Sequence, residues 1–116
     1  MRVFVYYNIH KRTWSIKALE GLSKGLVVAH SDHVLLQCAE SRVSETDRQR
    51  VVREQCKNVH AGIVGELIHT NETSTFTGLA VTYNPYKYKT FVYVDTQEPY
   101  HGSAYAYLHN RQVTIK

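Results

Sequence analysis

The feature of this chain that most constrains its fold is the order of its strand-forming segments around a single helical pattern. Short runs that are rich in β-branched and aromatic residues and bounded by turn residues are typical of β-strands. Parallel strands would need more crossover helices than one. The order ββββ-α-ββββ therefore predicts an α+β fold with a mainly antiparallel β-sheet, and we expect the fourth strand at an edge. The predicted strands are residues 2–7, 14–19, 26–30, 33–39, 76–83, 86–95, 104–109 and 112–115.

The helical pattern begins at Ser44, which is typical of an N-cap and is followed by acidic residues in the first turn. From there, apolar residues recur at spacings of three and four, which places them on one side of a helix. The pattern predicts one long amphipathic helix that covers a face of the sheet. Gly62 and Gly65 weaken its last turns and favour either an end near Gly62 or close packing against another backbone. The apolar side consists of Val52, Cys56, Val59, Ile63 and Leu67.

The chain has 116 residues, enough for one domain with a modest core. No linker, repeat or low-complexity tract divides it, so we predict a single domain over residues 1–116. Fourteen lysines and arginines against ten aspartates and glutamates give a formal charge of +4. This balance favours anionic partners weakly.

The predicted location follows from the cysteines and from the lack of targeting signals. Cys38 and Cys56 lie in unrelated contexts, and we interpret both as reduced, buried thiols. Met1 runs directly into a strand-like segment instead of a signal peptide. The longest apolar run, residues 26–29, is far too short to span a bilayer. These features predict a cytoplasmic protein that does not enter a membrane.

Residues 81–93 combine aromatic rings and lysines around a predicted turn, and seven of the nine tyrosines of the chain lie from this segment onward. In one interpretation the rings are packing pairs on neighbouring strands and the lysines are solvated. In the other, the rings stack on a base, Asn84 reads a polar edge of that base, and Lys87 or Lys89 holds its phosphate. Asn84 could equally be a turn residue. The rings available for stacking are Tyr83, Tyr86, Tyr88 and Phe91.

Arg50, Arg53 and Lys57 recur at spacings of three and four and form a basic ridge on the predicted helix. Such a ridge is commonly a solvated helix face, and pairing of Arg50 with Glu54 favours that interpretation. A guanidinium group also binds phosphate bidentately and stacks on bases. The ridge, together with Arg111, could therefore hold a nucleotide between helix and sheet, or contact a nucleic-acid backbone.

Seven histidines show none of the spacings that bring two metal ligands together on a helix. A turn that joins His30, Asp32 and His33 is the arrangement that could hold a metal. A metal-free ribonuclease with His60 or His101 as general base is a further alternative. The sequence has no glycine-rich phosphate loop, nucleophile elbow or zinc knuckle. We therefore predict a protein that is not an enzyme and has no metal or other cofactor.

Four segments of the chain resemble small phage-encoded proteins. They are Met-Arg-Val-Phe-Val-Tyr-Tyr-Asn at 1–8, Arg-Gln-Arg-Val-Val-Arg-Glu at 48–54, Lys-Asn-Val-His-Ala-Gly at 57–62 and Val-Thr-Tyr-Asn-Pro-Tyr-Lys-Tyr at 81–88. Among such proteins the chain is most similar to the anti-Thoeris sponge family. The resemblance implies a homo-oligomer that sequesters cyclic ADP-ribose isomers, made by host TIR enzymes, in pockets at oligomer contacts and without cleaving them. Related members capture cyclic di- or trinucleotides of CBASS immunity.

The predicted function is that of a phage anti-defence protein that binds and sequesters a cyclic nucleotide immune signal in the host cytoplasm. The signal would be a small anionic ligand, either a cyclic ADP-ribose isomer or a cyclic oligonucleotide. A protein that binds single-stranded RNA or DNA, and an inhibitor that covers the surface of a host defence protein, are the alternatives. The residues predicted to bind the ligand are Arg50, Arg53, Lys57, Tyr83, Asn84, Tyr86, Lys87, Tyr88, Phe91 and Arg111.

Overall fold

The computed structural model of the protein describes residues 1–70, 77–102 and 104–116. Within these ranges four strands precede a single helix and five strands follow it. The elements in chain order are β1 (Arg2–Asn8), β2 (Thr13–Ala18), β3 (Val27–Ser31), β4 (His33–Val43), α1 (Glu45–Glu54), β5 (Ala61–His69), β6 (Leu79–Thr82), β7 (Val92–Tyr93), β8 (Ala104–His109) and β9 (Gln112–Ile115).

The nine strands form one antiparallel sheet in the order β3-β2-β1-β5-β4-β8-β9-β6-β7. β1 and β2 form a hairpin, and β1 also pairs with β5, where Val5 lies opposite Ile63. β4 pairs with β5 on one side and with β8 on the other. It is therefore an interior strand, and the edge position predicted for it is wrong.

The sheet curls around a single apolar cluster. At a strand spacing of about 4.8 Å, nine strands would make a flat sheet about 40 Å wide. The buried cluster instead joins Trp14 and Ile16 of β2 to Val81 of β6 and Ile115 of β9, although these strands are far apart in the strand order. None of these four residues is more than 6% exposed. Alternation of apolar side chains along each strand supplies this shared core.

The prediction of one long amphipathic helix is wrong, and the fold is mostly antiparallel sheet with one short helix. Helix α1 begins directly after Ser44 but ends at Glu54, where Gln55 follows with a left-handed φ of 52°. Ile63, predicted on the apolar side of the helix, is 1% exposed in strand β5. A spacing of four returns to the same side of a helix and also to the same face of a strand. The apolar spacing therefore could not separate the two, and pairing with β1 and β4 favours the strand.

The predicted strand over residues 86–95 is wrong for most of its length, because β7 comprises only two residues. Before β7, Asn84 organises a turn. Its carbonyl oxygen accepts from the backbone amides of Lys87 and Tyr88 at 3.0 and 2.8 Å, and its Oδ1 accepts from the amide of Tyr86 at 2.9 Å. These local bonds outweigh the strand preference of the tyrosines.

The remaining differences are smaller. The strand predicted from Phe76 begins at Leu79, and Phe76 itself lies outside the described residues. The predicted strands at 104–109 and 112–115 are confirmed as β8 and β9. Cys38, predicted to be buried, is exposed at an irregular register of β4, where its φ is 53°.

Candidate functional site

The residues from 83 to 90, here called the tyrosine turn, present the most exposed ring of the predicted site. Tyr86 is 59% exposed. Lys87 and Lys89 are also exposed, and Tyr88 is half-buried. The side chain of Asn84 is occupied by the amide of Tyr86, so it acts as a turn residue. The turn thus directs one free ring and two cations outward.

Tyr83, the first residue of this turn, and Phe91, which directly follows the turn, are packed against each other. Their rings stack with centroids 5.1 Å apart, and Phe91 is only 9% exposed. The Tyr83 hydroxyl lies 2.7 Å from His60 Nε2, and His60 Nδ1 lies 2.9 Å from the Asn58 carbonyl oxygen. A carbonyl can only accept, so His60 Nδ1 donates to Asn58, and in this tautomer Nε2 accepts from the Tyr83 hydroxyl. Burial raises the pKa of Tyr83 to about 12. Phe91 therefore cannot stack on a ligand without leaving this packing, and Tyr83 is held by its contacts with Phe91 and His60.

Arg48 connects helix α1 to the tyrosine turn. Its Nη1 donates to the Pro85 carbonyl oxygen at 2.9 Å, and its Nε and Nη2 donate to the Glu45 carboxylate at 2.9 and 2.6 Å. The hydrogen bond from Arg48 lowers the pKa of Glu45 to about 2. Val51, one turn further along, is 5% exposed. Arg48 and Val51 therefore define the side of the helix that faces the protein.

The basic ridge faces other directions. At about 100° per residue, Arg50 and Arg53 lie roughly 140–160° around the helix axis from Arg48. Both are exposed, and Arg50 Nε donates to Glu54 at 2.8 Å. Lys57 follows the end of the helix and is exposed. The structure therefore brings Arg48 to the turn, and it does not align Arg50, Arg53 and Lys57 as one row facing the tyrosines.

Arg111, the last predicted cation, lies in the turn between β8 and β9. Its guanidinium carbon is 4.9 Å from the centroid of the Tyr7 ring. Tyr7 in turn meets Trp14 edge to face at 5.4 Å. This is a cation–π contact on the β1–β2 hairpin, and it accounts for Arg111 without a ligand.

Two cavities, both lined by Tyr100 and Gly102, are together called the Tyr100 cleft here. Its larger lobe, of about 580 Å³, is bordered by Leu79, Tyr93 and Ile115, with Lys116 at its rim. Its smaller lobe is about 330 Å³ in volume. The smaller lobe is lined by Glu40, Ser41, Thr90, Tyr100, His101 and Gly102. Thr90 ends the tyrosine turn, so the turn and the smaller lobe adjoin.

Tyr100 is a fixed wall between the two lobes. It is 2% exposed, and its hydroxyl donates to the Ala39 carbonyl oxygen at 2.5 Å. Tyr93 meets its ring edge to face at 5.9 Å. A Cβ on Gly102 would lie 2.7 Å from Tyr100 Cε1, so the missing side chain lets residue 102 pack directly against this ring. Burial is the main reason that the pKa of Tyr100 is raised.

The residues of the candidate metal site, His30, Asp32 and His33, have structural partners. His30 Nδ1 lies 2.9 Å from Ser15 Oγ, and Asp32 accepts from Thr13 at 3.0 Å. His33 stacks on His109 with centroids 4.3 Å apart. Within residues 1–70, 77–102 and 104–116, no three histidine, cysteine, aspartate or glutamate side chains gather as ligands for a metal ion.

Four residues that border the tyrosine turn and its cleft are missing from the predicted site. Arg48 lies on the same helix as the predicted ridge, and no spacing in the sequence distinguished it from Arg50. Glu40, Ser41 and Tyr100 lie on segments distant from the turn in sequence. No spacing could have connected them, because strand pairing and the curl of the sheet bring them together.

Comparison with known proteins identifies relatives in phage. A family model described as Mycobacterium phage L5 gene 82 protein matches residues 1–116. The Gene 82 protein of Mycobacterium phage L5 is 46% identical over 114 residues, which covers 93% of this chain and 90% of that protein. No solved structure matches the chain. In the part of the chain that the structure describes, no helix is long and apolar enough to cross a membrane.

These matches agree with the predicted resemblance to small phage-encoded proteins, and they give no indication of the anti-Thoeris sponge family. The chain belongs to the family of the Mycobacterium phage L5 gene 82 protein.

Proposed function

We propose that this phage protein captures an anionic nucleotide at the tyrosine turn and holds it without cleaving it. The observation that carries the proposal is that Lys87 and Lys89 lie on the turn whose last residue, Thr90, borders the Tyr100 cleft. Two exposed ammonium groups beside a cleft of base size suit a ligand that joins a phosphate to a ring. The exposed ring of Tyr86 offers a further surface on which a base can stack.

The ligand we propose is a cyclic nucleotide signal of host immunity, either a cyclic ADP-ribose isomer or a cyclic oligonucleotide. Sequestration would act in the host cytoplasm, where such signals are made. The sponge-like mode also leads us to expect a homo-oligomer, which light scattering on the purified protein would test. Of the two histidines considered as a general base, His60 has both ring nitrogens engaged, whereas His101 lines the smaller lobe. Capture without cleavage is therefore tested by recovering the ligand intact.

Single-stranded RNA or DNA is the second candidate ligand. Tyr86, Lys87 and Lys89 are all exposed on an open surface rather than inside the cleft. A strand that runs across such a surface contacts rings and cations without being enclosed. Its affinity would fall steeply with salt, because several phosphates are neutralised at once.

The test is a titration of the purified protein with cyclic ADP-ribose isomers, cyclic di- and trinucleotides, and a short single strand, each at two salt concentrations. We expect the double variant Lys87→Gln, Lys89→Gln and the variant Tyr86→Ala to weaken binding by about 1–3 kcal/mol, the scale of one charge-assisted or stacking contact. Arg53→Ala is the matched control, because Arg53 faces away from the turn.

The ligand should be recovered intact after the complex is denatured. Equal affinity of the wild-type protein and both turn variants, with folding unchanged, would remove the turn as the binding site. A cleaved ligand would contradict capture without catalysis. Saturable binding of a host protein with no nucleotide bound would favour the inhibitor function instead.

A further inference from the structure

The smaller lobe of the Tyr100 cleft lies where β4 loses one of its neighbours. Ala39 opposite Ala104 is the last described pair between β4 and β8. Beyond that pair β4 continues to Val43 along β5. Glu40 and Ser41 lie on this part of β4, and both line the lobe. Among the residues that the structure describes, β8 therefore no longer covers the strand edge that borders the lobe.

The register of β4 and β5 determines which backbone groups face this edge. The Ser44 amide donates to the His60 carbonyl oxygen at 2.8 Å. Along an antiparallel ladder, residues alternate between bonding the partner strand and pointing away from it. Ser41 is three positions before Ser44, so its amide and carbonyl point away from β5. The side chain of Ser41 is held at 3.2 Å from Thr90 Oγ1, at the end of the tyrosine turn.

The charge of the lobe selects hydrogen-bond donors and disfavours anions. Glu40 contributes a carboxylate whose side chain is 57% exposed and which forms an exposed ion pair with Arg2 Nη2 at 3.9 Å. A carboxylate accepts and cannot donate. A phosphate would be repelled here, whereas Lys87 and Lys89 on the adjoining turn attract one. The two surfaces thus suit different ends of one nucleotide.

We propose that the smaller lobe is a base-recognition site that selects guanine. Guanine carries two adjacent donors on its Watson–Crick edge, N1–H and the 2-amino group, next to the acceptor O6. The Glu40 carboxylate would accept from both donors, and the Ser41 amide would donate to O6. Adenine and cytosine place an acceptor beside their amino group, and uracil places an acceptor on each side of its single donor, so none of them satisfies Glu40 in this way. The flat ring of Tyr100 forms the wall of the lobe.

This inference rests on the proposed function, because it assigns the base of the nucleotide held at the turn. The test uses nucleosides, which carry no phosphate group. Guanosine, inosine and adenosine are titrated into the protein, with binding followed by NMR chemical shifts. Inosine lacks only the 2-amino group of guanosine, so it removes one hydrogen bond to Glu40. We expect guanosine to bind at least about ten-fold more tightly than inosine or adenosine, as expected for a bidentate contact.

Two variants locate the selectivity. Glu40→Gln replaces one acceptor by a donor and should bring the ratio of guanosine to inosine affinity close to one. Glu98→Gln is the matched control, because it removes the same charge from an exposed position that does not line the lobe. The ratio should be unchanged in this control.

The outcomes separate the base site from the phosphate site. Selectivity for guanosine that is lost in Glu40→Gln but kept in Lys87→Gln and Lys89→Gln supports the smaller lobe as the base site. This result would hold even if the two lysines proved unimportant for nucleotide binding. Equal binding of guanosine and inosine, or selectivity that Glu40→Gln leaves intact, would overturn the inference. Capture of nucleotides through the lysines could still hold in that case, since it does not require a particular base.

Discussion

At the scale of single residues, Tyr83 and Tyr86 separate a structural ring from an exposed one. The Tyr83 hydroxyl donates to His60, and its ring stacks on Phe91. Tyr86, three positions later, is 59% exposed. Both tyrosines belong to one aromatic run, and nothing in that run distinguishes them. The difference comes from His60, which lies 23 positions away in sequence.

The variant Tyr83→Phe should lower the free energy of unfolding by about 1–2 kcal/mol. It removes the hydroxyl that donates to His60 Nε2 and leaves a half-buried acceptor without that partner. Tyr86→Phe, which removes an exposed hydroxyl, should change stability by less than about 0.5 kcal/mol. Chemical denaturation of both variants at pH 7 measures the difference. Equal effects of the two substitutions would contradict a structural role for the Tyr83 hydroxyl.

The raised pKa of Tyr83 also predicts how the stability of the protein changes at high pH. Burial raises its pKa from 10.0 to about 12. The folded protein therefore keeps a proton that the unfolded chain loses. The contribution of Tyr83 to stability is complete below pH 10 and is lost as the pH rises through 12. The free energy of unfolding of the wild-type protein should consequently fall more steeply in this interval than that of Tyr83→Phe. If the free energies of unfolding of the two proteins fell equally with pH in this interval, the raised pKa of Tyr83 would be contradicted.

At the scale of elements, helix α1 is held to the sheet by few contacts. Val51 is its one buried residue, and Arg48 binds the carbonyl of Pro85. The helix therefore depends on the tyrosine turn for its position, and the turn depends on the helix. A change at Arg48 should affect both elements, whereas a change on the outer side of the helix should not.

Arg48→Ala should destabilise the protein by about 1–2 kcal/mol, because the Arg48 side chain is only 14% exposed and makes charge-assisted hydrogen bonds to two residues. Arg50→Ala is the matched control on the same helix. Its ion pair with Glu54 joins side chains that are 59% and 47% exposed, so its loss should cost less than about 0.5 kcal/mol. Urea denaturation compares the two variants. A larger loss in Arg50→Ala would contradict the position of the helix.

At the scale of the whole molecule, stability depends on a core that strands from both halves of the chain share. Leu36 of β4 is fully buried and belongs to this core. Leu26, just before β3, is 61% exposed. These two leucines have similar apolar neighbours in the sequence. The curl of the sheet covers one of them and leaves the other in solvent.

Leu36→Ala should lower the free energy of unfolding by about 2–5 kcal/mol, since it removes buried methyl groups and leaves a cavity. The same substitution at Leu26 should cost less than about 0.5 kcal/mol. Thermal and urea denaturation of the two variants provide the measurement. Similar losses in both would mean that β4 does not lie inside the core.

The candidate site was predictable where its residues are neighbours in sequence. The run of tyrosines and lysines around Asn84 indicated an exposed turn with cations, and the structure has such a turn. The basic ridge was less predictable, because its alignment assumed a helix that continued past Glu54. When α1 ends there, Lys57 leaves the helix and Arg50 and Arg53 face solvent. No sequence pattern indicated the Tyr100 cleft, because it brings together Glu40, Thr90 and Tyr100, which are far apart in the sequence.

The sequence by itself determined the strands at both ends of the chain, the start of the helix at Ser44 and the turn at Asn84. Each of these depends on contacts within a few residues, such as an alternating apolar face, an acidic first turn or an asparagine side chain that bonds its own backbone. Only the tertiary structure decided that residues 61–69 form a strand, that β4 is interior and that Tyr83 is packed while Tyr86 is exposed. The physical reason is that these outcomes depend on hydrogen bonds and buried contacts between segments far apart in the chain, which form only when the sheet closes around its core.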